Sequence, residues 1–176
     1  MLEKLKIKLR GSIDIEKLKK DGCIIGKNFH AQHGAIVDPG HCWLIEIGDN
    51  VTLAPYVHIL AHDASTKHAL GYTKIGHVTI GNNVFVGAGS IILPNVTISD
   101  NVIIGAGSLC AKDCDSGVWC GNPCTKIAEY DEWVHRQKTI MNQTVIFDES
   151  YIIGNITPEK KAEMKEKLRE GIGFII

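Results

Sequence analysis

Long apolar runs, a surplus of charge of one sign, and the short signatures of kinases and hydrolases are all missing from these 176 residues. The formal net charge is −1, which gives no reason to expect nucleic acid as a partner. No stretch approaches the roughly twenty consecutive apolar residues of a membrane-crossing helix, so no transmembrane segment is expected. Residues 1–10 (MLEKLKIKLR) are basic, but charges interrupt their apolar residues and no secretory core is present. A cytoplasmic location with reduced thiols is therefore expected. The cysteines at Cys23, Cys42, Cys110, Cys114, Cys120 and Cys124 then need an account other than a disulfide framework, and packing as small apolar side chains is the simplest. With 44% hydrophobic residues, the chain can build one ordinary domain with a sizeable core.

What is present is a six-residue phrase. Residues 80–116 read IGNNVF, VGAGSI, ILPNVT, ISDNVI, IGAGSL, CAKDCD, with openers Ile80, Val86, Ile92, Ile98, Ile104 and Cys110. Position five holds Val84, Ser90, Val96, Val102, Ser108 and Cys114, and the second position is mostly small or turn-forming. A period of six fits neither a helix nor a hairpin meander. It suits short strands broken at each phrase by a residue tolerant of positive φ, coiling parallel to themselves with three phrases to a turn of a triangular prism.

The repeat begins near Ile25, runs less regularly to Val37, and resumes at Ile47 and Leu53. About four extra residues lie around Pro39, Gly40 and His41. The phrase at Ile59, ILAHDA, puts Asp63 where an inward residue belongs, and the phase returns only near Lys74. The intervening DASTKHALGYT is expected to be a surface loop, and loops on rigid solenoids are where sites are built. His62 sits at that break. An imidazole there can serve as a general base near neutral pH, or can hydrogen-bond to backbone at an irregular turn. Before the repeat, Ser12 can cap a helix over Ile13, Ile15 and Leu18 that closes one end of the prism; Lys4, Lys6, Lys8 and Arg10 also allow a membrane-surface role. After it, EYDEWVHRQKTIMNQ forms a helix or a wrap anchored by Trp133, VIFDESYIIGN is extended, and Thr157 with Pro158 starts a helix running to Gly171.

The run IGDNVTLAPYVHILAHD, the loop, HVTIGNNVFVGAGSIILPNVTISDNVIIGAGSLCAKD and GNPCTKI together resemble the hexapeptide-repeat acyltransferases. The resemblance spans roughly residues 22–127 and is to the galactoside and maltose O-acetyltransferase branch and related enzymes that acetylate bacterial surface sugars during polysaccharide biosynthesis. It implies a mainly β chain built as a left-handed parallel β-helix, against the usual right-handed crossover preference. It also implies a homotrimer with active sites between subunits, acetyl-CoA as acetyl donor, a sugar or glycan-precursor acceptor, and no metal. His62 falls on the family's catalytic histidine, which deprotonates the acceptor hydroxyl for direct transfer without an acyl-enzyme. Asp38 resembles the acceptor-binding carboxylate, its other reading being a turn cap before Pro39. Gln32, which stands where relatives have Asn, and Asp63, beside the base, are likewise expected to bind the acceptor.

For the cofactor, the stacked phrases VGAGS and IGAGS supply Gly87, Ala88, Gly105 and Ala106 along the pantetheine arm. Phe85 replaces a frequent Trp at the cofactor wall. Ala111 and Lys112 match a Thr-Lys pair near the nucleotide, and Thr125 takes the place of a phosphate-binding Arg, with Lys126 beside it as a point charge.

The organisation expected is a helical cap over 1–21, a β-helix domain over 22–127 with a loop at 63–73, and a C-terminal extension over 128–176 with a helix near 158–170. Two other readings share the prism. One is a zinc lyase of the γ-carbonic anhydrase type, with His58, His62 and His77 as ligands; the other is a scaffold without catalysis.

Overall fold

Positions five and one of successive phrases are two apart, so on one extended strand both side chains point to the same side. The strand Val96–Ile98 shows this directly: Val96 and Ile98 are buried and Thr97 faces out. The computed structural model describes residues 13–176, and its strands pair in parallel with the strand one turn further on. Val96 pairs with Val78, Phe85 with Ile103, and Ile91 with Leu109.

Three sheets result, one for each face of a prism. The first holds Ile24–Ile25, Ile45–Ile47, Val78–Ile80 and Val96–Ile98. The second stacks His30–Ala31, Thr52–Leu53, Phe85–Val86, Val102–Ile104 and Gly117–Cys120, and ends on the antiparallel strand Thr125–Ala128. The third holds Ile36–Val37, His58–Ile59, Ile91–Ile92 and Leu109–Cys110.

Inside, the openers form three columns: Ile25, Ile47, Ile80, Ile98, Cys114; Ala31, Leu53, Val86, Ile104, Trp119; and Val37, Ile59, Ile92, Cys110. Most are fully buried, and each large aliphatic side chain contributes about 1.5–3 kcal/mol by leaving water. Ser90 and Ser108 also point inward and are satisfied there, both donating to the Gly105 carbonyl at 2.9 and 2.7 Å.

The corners depend on positive φ. Asn28, Asn50, Asn83 and Asn101 adopt φ of 54, 57, 56 and 56° at one edge, a region Asn tolerates better than most residues. Their side-chain amides form a ladder, Asn28 to Asn50, Asn50 to Asn83 and Asn83 to Asn101, at 2.9, 3.0 and 3.1 Å. At another edge Gly34, with φ of 73°, lies against the Tyr56 ring, where a Cβ would come within 2.5 Å of it.

The structure differs from sequence expectation in several places. Coil offsets are 22 and then 33 residues before settling at 18. The first surplus forms the single-turn helix Cys42–Leu44. In the second, the chain leaves the prism at Ala61, which is fully buried, and not at Asp63, whose side chain is 34% exposed. The excursion is a structured arm: His62–Asp63 pairs antiparallel with Lys74–Ile75, and two helical turns, Ala64–Thr66 and Lys67–Leu70, form its tip. The last coil is short, because Cys114 bridges to Ile98 and so occupies an opener's place, not position five of a sixth phrase. The N-terminal helix is Ile15–Lys20, capped by Asp14, which accepts from Lys17 N at 3.0 Å; Ser12 and the basic residues before it lie outside the described residues.

One unit of the chain ends at Tyr130 and a second is Asp131–Ile176. The helix Tyr130–Met141 opens the second. Val145–Phe147 pairs in parallel with Gly173–Ile175, so only the first part of the expected extended segment is a strand. Thr157 caps the helix Pro158–Lys167 as expected, accepting from Lys160 N, but the helix stops three residues short of 170. Among the described residues, no helix is long and apolar enough to cross a membrane.

Candidate active site

The site grows from the register of the third sheet. Val37 pairs with Ile59, so Asp38 follows its strand out of the core just where the neighbouring strand reaches Ala61 and breaks away as the arm. Asp38 is fully buried. Its Oδ1 accepts from Gly40 N at 2.9 Å, and its Oδ2 accepts from Ala61 N at 3.0 Å and lies 2.5 Å from His62 Nδ1. Burial alone would push this carboxyl up, but the bonds from His62, Gly40 and Ala61 outweigh it and hold the group below its ordinary value. An ionised Asp38 accepts from Nδ1–H of His62, and in the neutral imidazole that arrangement leaves Nε2 with a free lone pair. The His62 side chain is 39% exposed, so that lone pair can meet a substrate.

For Asp38 the sequence offered acceptor binding or a turn cap: its Oδ1 caps the turn at Gly40, and its Oδ2 is shared between the Ala61 backbone and the His62 imidazole. Sequence reasoning gave His41 no role beyond marking the four-residue surplus. Its ring centroid is 5.0 Å from that of His62 and 5.3 Å from that of Trp43. Among the described residues, His41 Nδ1 is the buried side-chain atom left without a hydrogen-bond partner. The signal available was the four-residue surplus around Pro39 to His41, which carries the ring to the break.

Asp63 hydrogen-bonds to Lys74 Nζ at 2.6 Å and accepts from Ser65 N at 2.8 Å; these bonds, that from Lys74 foremost, hold its carboxyl well below the usual carboxylate range. Asp63, Lys74, Ile75, Leu93, Pro94, Asn95 and Ala111 line a cleft of about 270 Å³, so an expected acceptor residue and an expected cofactor residue share one groove. Gln32 is exposed one coil away, its N–H bonded to the Leu53 carbonyl.

Along the second sheet and its corner, Phe85 is 44% exposed and pairs with Ile103. Ala88 and Ala106 are exposed on adjacent coils, joined by Gly107 N donating to Ala88 O at 2.8 Å. Gly87 is packed so closely that a Cβ would come within 2.5 Å of Ala106 N, and one at Gly105 within 2.7 Å of Cys120 Sγ. Small side chains therefore face out at this corner on two successive coils. Ala111 and Lys112 are exposed, with Lys112 Nζ 5.4 Å from the Trp119 ring centroid.

Lys126, expected beside the cofactor phosphate, is ion-paired: its Nζ bonds to Glu129 at 2.7 Å and Asp115 at 2.9 Å, which raises its pKa. Thr125 is exposed beside it. The histidine set of the zinc-lyase reading is not assembled either: among the described residues the grouping with metal-ligand spacing at this end is Asp38, His41 and His62, without His58 or His77.

A prism whose coils are each built from three six-residue phrases, interrupted twice and presenting a carboxylate-held histidine at the second break, resembles the hexapeptide-repeat transferases. Residues 77–112 match the family model for the bacterial transferase hexapeptide (six repeats). Galactoside O-acetyltransferase of Escherichia coli (strain K12) is 41% identical over 113 residues, 61% of this chain and 54% of that protein. Protein CapG of Staphylococcus aureus is 43% identical over 96 residues, 52% of this chain and 56% of its own. The crystal structure of a maltose O-acetyltransferase from Clostridium difficile 630 aligns with a TM-score of 0.53 at 44% identity, over 60% of this chain and 57% of that one. The chain thus spans about half the length of the curated relatives it matches. Residues 77–112 are thus similar to the hexapeptide transferase repeat, and the fold is similar to that of the maltose O-acetyltransferase, a left-handed parallel β-helix.

Proposed function

We propose that this protein is an acetyl-CoA-dependent O-acetyltransferase that acetylates a hydroxyl of a sugar or glycan precursor, with His62 as general base. The observation that carries the reading is the His62 Nδ1–Asp38 Oδ2 contact of 2.5 Å, made to a buried carboxylate whose other bonds are all to backbone. The names of the relatives, galactoside and maltose O-acetyltransferases, support the substrate class.

In this reading His62 Nε2 removes the acceptor hydroxyl proton as that oxygen attacks the thioester carbonyl. Asp38 stabilises the imidazolium that forms. Collapse of the tetrahedral oxyanion breaks the carbon–sulfur bond, and the imidazolium returns its proton to the departing coenzyme A thiolate, so no acyl-enzyme is needed. A positioned base supplies about a hundred- to ten-thousand-fold in rate, and holding the two substrates together supplies much of the rest. The pantetheine arm lies along Gly87, Ala88, Gly105 and Ala106, with Phe85 as wall and Ala111, Lys112 and Thr125 toward the nucleotide. Gln32, Asp63 and the arm face the acceptor.

The protein works as a homotrimer with sites between subunits. Leu70, Tyr72 and Ile75 on the arm are 66, 79 and 60% exposed, apolar surface of the kind a second copy covers. A screen of hydroxyl and amino sugars, free and nucleotide-linked, following free coenzyme A tests the function. At least one hydroxyl acceptor is expected to turn over; no turnover together with no acetyl-CoA binding by calorimetry would contradict it.

A further inference from the structure

The opener columns are aliphatic until the last coil, where two of the three end in cysteine. Cys110 lies beyond Val37, Ile59 and Ile92, and Cys114 beyond Ile47, Ile80 and Ile98. Cys124 comes from the segment after the last coil, its N–H bonded to Leu109 O at 2.9 Å. The three are 0, 0 and 1% exposed. Their sulfurs all lie within 4.8 Å of one another, and Cys114 and Cys124 are 3.9 Å apart. Sulfurs that share one ion at about 2.3 Å sit about 4 Å from each other. We propose that Cys110, Cys114 and Cys124 form a buried thiolate site for a thiophilic d¹⁰ cation, Zn²⁺ or Cu⁺.

Packing explains small apolar side chains at the end of a prism, but not the convergence of three sulfurs from separate segments on one point. Without an ion the three sulfurs are free thiols buried at the end of the prism. A bound cation replaces those protons. The Lys112 ammonium, which acts electrostatically on Cys114 and Cys124, offsets part of the remaining negative charge. Soft thiolates select Zn²⁺ and Cu⁺ over hard ions. Cys120 is half-buried and lies toward Gly105, outside the cluster.

The site is read by titrating the reduced, metal-stripped full chain carrying Cys23→Ala and Cys42→Ala with Cd²⁺, whose ultraviolet thiolate charge-transfer absorption reports sulfur ligation. Parallel arms under nitrogen use Zn²⁺ and Cu⁺ to displace it and so identify the preferred ion. One equivalent per chain is expected, with the absorption lost in Cys124→Ala and in Cys110→Val and kept in Cys120→Ala. Cys110→Val keeps the residue type that fills its column above, and far-ultraviolet circular dichroism checks that it folds. No absorption, absorption that survives Cys124→Ala, loss in Cys120→Ala, or protein recovered only as a Cys114–Cys124 disulfide would each overturn the proposal.

Discussion

Asp38→Asn replaces one carboxylate oxygen by an amide group at almost constant shape, and it separates two roles for this residue. Asp38 accepts three hydrogen bonds, from Gly40 N on one oxygen and from Ala61 N and His62 Nδ1 on the other. Asparagine has one oxygen for both sides. If that oxygen faces Ala61 and His62, its NH₂ abuts the Gly40 N–H. In the reversed orientation the NH₂ faces Ala61 N–H and forces His62 to accept at Nδ1, which moves the proton to Nε2 and abolishes the base. Where the donor left without a partner is the buried Ala61 N–H, the cost is about 1–3 kcal/mol, or roughly 2–10 °C in Tm for a chain of this size; it is smaller at the exposed Gly40. The imidazolium also loses its counter-charge, so kcat should fall about a hundred- to ten-thousand-fold.

Coenzyme A release with the best acceptor from the sugar screen gives kcat and KM. Imidazole ¹⁵N spectra give the His62 tautomer without any acceptor. A loss confined to kcat, with an altered tautomer or titration of His62, fits a residue that positions the base. An unchanged kcat with a raised acceptor KM would refute the reasoning and return Asp38 to acceptor binding.

Three further outcomes follow from the same geometry. Because the folded-state pKa of Asp38 is depressed, its stabilisation is present above the unfolded value of about 3.9 and is lost as pH falls through the folded one. The urea-midpoint gap between wild type and Asp38→Asn should therefore be constant near pH 6 and shrink below pH 4; a gap unchanged down to pH 3 would contradict this. At Asn83, where φ is 56° and both ladder bonds meet, alanine should cost about 1–2 kcal/mol more than glycine by thermal denaturation; equal losses would show that the ladder, not the backbone, dominates. Lys126→Met should leave acetyl-CoA affinity within about twofold, since Lys126 is held by Asp115 and Glu129 and exposed ion pairs contribute little. A tenfold weakening by calorimetry would mean that those pairs open to bind phosphate.

The coils were legible because a period of six leaves openers every six residues and the inside of a prism has no other use for them. The excursion after His62 was legible for the same reason, as a failure of phase. The partner of His62 was less so. Asp38 could be named as a site residue from IVDPG, but its role depends on a contact across 24 residues, set by two irregular coil offsets that local pattern does not reveal. The ion pairs of Lys126 were not legible, because neighbouring charges are invisible until the antiparallel strand Thr125–Ala128 places it over Asp115. The cysteines read as small apolar packing residues, and nothing local showed that the shortened last coil brings Cys124 to Cys110 and Cys114 and leaves Cys120 outside. Residues 131–176 carry caps and periodicity enough for their helices, but nothing in them marked Val145–Phe147 and Gly173–Ile175 as partners.

The central claim, that His62 takes the acceptor proton in an acetyl transfer, is tested most directly by His62→Ala. Coenzyme A release and acetyl-CoA affinity are measured on the same preparation. The account predicts release slowed by about a hundredfold or more, with acetyl-CoA bound within about twofold of wild type. Release within twofold of wild type by a folded His62→Ala chain would contradict it.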